Sequence, residues 1–115
     1  MDAAGGWMMD KLRELAREIT ALGIPATLDP RDLDAPGAIV ELNELGTDNA
    51  LCGDVSMTAN VYLLAPDNGR EEATANLLEM YETVKHLTTG AITIDLALPD
   101  TAPLPALKLN PIELI

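Results

Sequence analysis

A chain of 115 residues with 48% hydrophobic content is the size of one domain and carries enough apolar side chain for a core. Aromatic residues make up only 3% and Phe is absent, so that core is aliphatic and few rings are left to stack on bases or sugars. The 19 acids and 7 bases leave a net charge of −12, which repels phosphate and anionic lipid and argues against nucleic-acid or membrane-surface binding.

Cys52 is the single cysteine, so no internal disulfide can form and a reducing compartment is expected. No apolar run reaches the roughly 20 residues needed to cross a bilayer. Met1 to Lys11 lacks the charged-then-apolar order of a secretion signal. The expectation is a soluble protein that works or assembles in a cytoplasm.

Met8, Leu12, Leu15, Ile19 and Leu22 recur at three-and-four spacing and predict an amphipathic helix over Trp7 to Leu22. Gly23 stops it and Pro25 prevents its resumption. Ala26 to Leu28 reads as extended, and Asp29 to Asp34 as a turn-rich loop in which Pro30 and Pro36 bias their predecessors away from helix. Ala38 to Asn43 reads as a strand, followed by a polar loop from Gly46 to Asn49. The clearest strand is Val55 to Ala65. Its Val55, Met57, Ala59, Val61 and Leu63 alternate with Ser56, Thr58, Asn60 and Tyr62, the pattern of one covered face and one polar face.

A second helix is predicted over Arg70 to Leu87, with Ala73, Leu77, Met80, Val84 and Leu87 on one face. Asp67 or Asn68 can cap its start, and Gly90 is placed to close it. Ala91 to Leu98 alternates, with Ile92, Ile94, Leu96 and Leu98 on one side. Ala106 to Leu109 reads as a last strand, and Pro111, lacking an amide donor, places that segment at a sheet edge. The order is α-β-β-β-α-β-β over a single domain, 1–115. Two helices on one face of a mainly antiparallel sheet, an α+β fold, is the economical packing.

The residues for chemistry are scarce. His86 is the only histidine and Ser56 the only serine, and Ser56 falls within a regular strand rather than on a strained turn. A structural zinc site cannot be assembled from one Cys and one His. Asp29, Asp32 and Asp34 lack the twelve-residue calcium pattern and suit turns instead. There is no glycine-rich phosphate loop. The expectation is no catalytic residue, no metal and no cofactor.

The placement of the acids is more informative. From Asp29 to Asp54 there are seven acids (Asp29, Asp32, Asp34, Glu41, Glu44, Asp48 and Asp54) and one base, Arg31, so this segment carries half of the net charge. Copies arranged about an axis would make it an acidic rim or lumen; a lone copy would present a solvated loop face.

The stretch from Leu22 to Leu33, with its Gly23-Ile24-Pro25-Ala26-Thr27 and Asp29-Pro30-Arg31-Asp32-Leu33, resembles the opening of tail terminator proteins of long, non-contractile-tailed phages of actinobacteria. Pro36 to Glu41, Cys52-Gly53 before a long alternating strand, the central helix, and Pro103 to Leu109 are similar in the same order, over roughly Leu12 to Leu109. Pro111 and the terminal Glu113-Leu114-Ile115 depart from the pattern.

The resemblance implies a virion protein of the tail and neck, assembled in the host cytoplasm. It would form a homo-hexameric ring at the head-proximal end of the tail tube, stopping tube polymerisation and meeting the head-tail connector, while genomic DNA passes through its lumen unbound. In that setting the final strand, Ala106, Leu107, Lys108 and Leu109, is expected to be the subunit interface, and Glu44 to Leu51 a loop that reaches tube or connector. Replacing Leu107 and Leu109 with Asp would then abolish rings and spare the fold. Rival readings are a head completion protein or tail tube subunit, a small-ligand binding module or cryptic enzyme, and an acidic mimic of DNA.

Overall fold

The computed structural model describes residues 6–47, 55–98 and 102–115. Helix α1 (Gly6–Ala21) buries Leu12, Leu15, Ala16 and Ile19. Gly23, at φ +102°, ends it: its N–H donates to the Thr20 carbonyl at 3.0 Å, and the Ile24 N–H to the Ile19 carbonyl at 3.4 Å. Thr20 ties this end to the sheet, since its hydroxyl donates to the Ala16 carbonyl and accepts from the Ala26 N–H.

Strand β1 (Ala26–Thr27) runs parallel to β2 (Gly37–Thr47), and a 3-10 turn at Pro30–Asp32 connects them. The antiparallel partner of β2 is β3 (Val55–Leu64), with a bulge at Asn43 that shifts the register between Leu42 and Glu44. Helix α2 (Arg70–Val84) ends in a 3-10 turn at Lys85–Leu87. Strands β4 (Ala91–Leu96), β5 (Leu104–Leu109) and β6 (Ile112–Glu113) complete the chain. The sheet order is β1-β2-β3-β5-β4, with β6 also on β3. This is the expected α+β class and element order, followed by a sixth short strand.

The alternation of β3 divides the molecule. Met57, Ala59, Val61 and Leu63, with Ala38, Val40, Leu107 and Leu109, turn toward α1 and α2 and form the main core. Helix α2 contributes Ala73, Leu77, Met80 and Val84. On the reverse face a smaller cluster of Ile39, Leu64 and Ala106 is covered by Leu33, Tyr62, Ile94, Leu96, Leu98 and Leu104. The apolar side of β4 therefore serves the face away from the helices.

Several expectations need correction. Ala106 to Leu109 is not at a sheet edge: β5 lies between β3 and β4, and Ala106, Leu107 and Leu109 are buried. Pro111 lies beyond the end of β5, where the pairing on β3 slips by one residue before β6, so its missing donor falls where the ladder is already broken. Gly46 and Thr47 continue β2 rather than opening a loop, because Ser56 and Val55 pair with them. The start of α2 is at Gly69, φ +105°, and not at an Asp67 or Asn68 side chain.

Leu109, fully buried beneath the helices, belongs to the fold and not to a joint. Leu109→Asp should therefore unfold the isolated subunit, since burying an unpaired carboxylate costs more than the typical stability of about 5–15 kcal/mol leaves to spare. Loss of far-ultraviolet circular dichroism at room temperature checks this; a folded variant with only assembly lost would restore the expected interface.

Candidate functional site

The residues expected to act at a surface fall on three parts of the fold. Asp29 caps the 3-10 turn: Oδ1 accepts from the Arg31 N–H at 3.0 Å, and the Arg31 side chain bonds both carboxylate oxygens, Nε to Oδ1 at 3.2 Å and Nη2 to Oδ2 at 3.0 Å. Those side-chain and backbone hydrogen bonds from Arg31 hold the Asp29 carboxyl below its ordinary pKa. Asp29 and Asp32 line a surface hollow with Arg13 and Arg17 of α1, so this part of the acidic segment has basic company. Asp34 is exposed beside them in sequence.

Glu41 and Glu44 sit elsewhere, on the reverse face of β2, opposite Asn60 and Thr58. Glu41 organises its surroundings. The Tyr62 hydroxyl donates to Glu41 Oε1 at 2.7 Å, and Asn60 Nδ2 donates to the same oxygen at 3.3 Å. Asn60 is only 6% exposed, the one buried polar residue among those described, and its Oδ1 has no partner. Burial first, and then the hydrogen bond to Glu41, pushes the Tyr62 phenol up to about 12. The cluster borders a hollow of about 180 Å³ lined by Pro30, Ile39, Glu41, Tyr62, Leu96, Ala97 and Leu98. One carboxylate, one phenol and an aliphatic wall can hold a surface together. They supply no nucleophile with an adjacent base.

Asp48 and Asp54, Cys52, and the loop residues 48–51 lie outside the described residues. The acids that the structure brings together are thus Glu41 and Glu44, while Asp29 and Asp32 turn toward α1. Ser56 and His86 are both exposed, on β3 and on the 3-10 turn after α2 respectively. Among the described residues no group of three His, Cys, Asp or Glu is placed to hold a metal ion. No described helix is long and apolar enough to cross a membrane.

What sequence reasoning missed is the pair of open strand edges. Strand β4 ends the sheet on one side. On the other, β1 covers only Ala38 and Ile39, so Val40 to Thr47 has no strand beside it among the described residues. Leu42, Leu45 and Ile92, at 45%, 51% and 58% exposure, mark these two edges. The available signal was the shortness of Ala26-Thr27 before two prolines, which cannot cover a long neighbour. Comparison with protein-family models, curated proteins and solved structures returns no match.

The raised Tyr62 pKa has a consequence for stability. The fold favours the neutral phenol, so its contribution is complete below pH 10, the ordinary tyrosine value, and drains away as pH rises toward about 12. Tyr62→Phe should remove this alkaline loss and cost about 1 kcal/mol at neutral pH, the usual worth of one hydrogen bond. Denaturant unfolding of both proteins at neutral and alkaline pH measures it; identical pH profiles would mean that Tyr62 is not so held.

Proposed function

We propose that this protein is a structural subunit of a phage tail: a tail terminator that closes into a ring on the head-proximal end of the tail tube, stops its growth and offers a surface to the head-tail connector. The observation that carries the reading is that, among the described residues, neither β4 nor Val40 to Thr47 of β2 has a strand on its outer side, and helices cover only one face. Unpaired N–H and C=O groups along a strand are a template for another chain, and a protein that works alone shields them. Two different edges on one subunit make a heterologous contact, which closes into a ring when its rotation permits.

The scarcity of reactive side chains supports a role played by contact rather than catalysis. The resemblance of residues 22–33 and of the later segments in order supports the phage-tail assignment, and hexamer is the copy number it implies. Glu41 and Glu44 on the helix-free face support an acidic lumen, past which DNA slides because these carboxylates outnumber Lys108, the one base of the described strands on that face. In this reading the partners are copies of the chain, the tube protein and the connector, and the place of action is the virion.

Electron microscopy of the purified protein tests the reading. Discrete rings are expected; long tubes would identify a tube subunit, and particles that stay single would remove the ring. At a net charge of −12, copies repel one another at low ionic strength. Raising salt from about 0.01 M to about 0.15 M shortens the screening length from about 30 Å to about 8 Å and should promote assembly. Sedimentation velocity over that range reads the effect. Dissociation on adding salt would mean that attraction between charges holds the subunits instead.

A further inference from the structure

Within that reading of a self-assembling subunit, on which the following rests, the strand ladder specifies how two copies meet. Strand β4 runs opposite to β2, because each of the steps β2 to β3, β3 to β5 and β5 to β4 is antiparallel. A second copy carried round an axis that lies along the strands therefore presents its β2 antiparallel to β4, and the sheet continues without inversion.

The pleat and β1 together set the smallest offset at which the two edges can pair. Ile39, Tyr62, Lys108 and Ile92 stand in a single row across the sheet. Residues facing across a continuous sheet must share a face, so the offset between copies is an even number of residues. An offset of four sets Leu96 against Ile39, a position that Thr27 of β1 already occupies. An offset of eight carries Ala91 and Ile92 beyond Thr47, the last described residue of β2. An offset of six clears β1 and pairs all of β4. Leu96 then faces Glu41, Ile94 faces Glu44, Thr93 faces Leu45, Ile92 faces Gly46 and Ala91 faces Thr47.

We propose that copies of this chain join edge to edge in this register, β4 of one on Val40 to Thr47 of the next, with β1 as the stop that sets the offset. Each copy contributes four strand rows, β2, β3, β5 with β6, and β4. With about 3.4 Å per residue and about 4.8 Å between strands, six residues over four rows incline the strands by roughly 45°, at the upper end of the range for closed sheets, whatever the number of copies.

The side chains suit the joint. Exposed Ile92 meets Gly46, where a Cβ would stand 2.6 Å from Ser56 Oγ and the serine hydroxyl would have to turn away. Exposed Leu45 meets Thr93. Lys108, the one base on the described strands, sits beside Ile92 on the face that carries Glu41 and Glu44, and no ion pair occupies it among the described residues. The joint's poor matches are three carboxylates set against aliphatic side chains: Asp95 against Leu42, Glu41 against Leu96 and Glu44 against Ile94.

Cysteine cross-linking tests the register, in a chain carrying Cys52→Ser. Leu45→Cys with Thr93→Cys should give a ladder of covalent multimers on mild oxidation, because facing residues in an antiparallel pair lie within disulfide reach. Leu42→Cys with Thr93→Cys, which reports the offset of four, should react about tenfold more slowly at its longer diagonal separation. Equal or faster reaction of the Leu42 pair overturns the register. Rings seen by microscopy while neither pair cross-links overturn the edge-to-edge joint and leave the ring reading standing. A chain that sediments as a monomer at every concentration and salt removes both.

Discussion

Strand β3 is the constraint on which the rest of the molecule depends. It is paired on both sides and its alternate residues serve two different apolar clusters, so a shift of one residue would exchange both faces at once. Val61, Leu63 and Ala59 are fully buried under the helices, while Leu64 is fully buried against the reverse cluster. With its position held from both faces, β2 and β5 inherit their registers, and β4 inherits its own from β5. The rows that reach from Ile39 to Ile92 exist because β3 admits one alignment.

The edges of such a sheet are hazards unless something limits what pairs with them. The chain uses devices suited to that purpose: acidic Glu41 and Glu44 on the long open edge, the bulge at Asn43, and the short cover of β1. Asn43 Nδ2 donates to Thr58 Oγ1 at 3.0 Å across this bulge, which holds the irregularity in place. An edge guarded by charge and offset by a bulge discourages indiscriminate stacking.

The cluster on the helix-free face shows how an aliphatic protein accommodates polar groups. Glu41 accepts from Tyr62 and Asn60, so a carboxylate on an open strand is held in place by neighbours two residues apart on β3. Asn60 keeps one oxygen without a partner, an expense of about 1–3 kcal/mol by ordinary reckoning. The orientation of Glu41 is what this arrangement secures. Asp29, by contrast, is consumed locally by Arg31, and its charge belongs to the turn.

Elements with a strong period were legible from residues alone. The three-and-four spacing from Met8 to Ile19, the alternation from Val55 to Leu63 and the α+β order follow from side-chain periodicity, which local geometry sets without reference to distant residues. The scarcity of His, Ser, Cys and aromatics was equally plain. Which strand lies beside which was not, because backbone edges carry no side-chain signature and sheet order is a long-range property. Pro111 suggested an edge for Ala106 to Leu109, but tertiary packing slid β5 between β3 and β4 and left β4 and the two-residue β1 outermost. The division of the described acids had the same cause: residues of one segment separate once a strand turns Glu41 and Glu44 to one face and a 3-10 turn brings Asp29 and Asp32 beside α1.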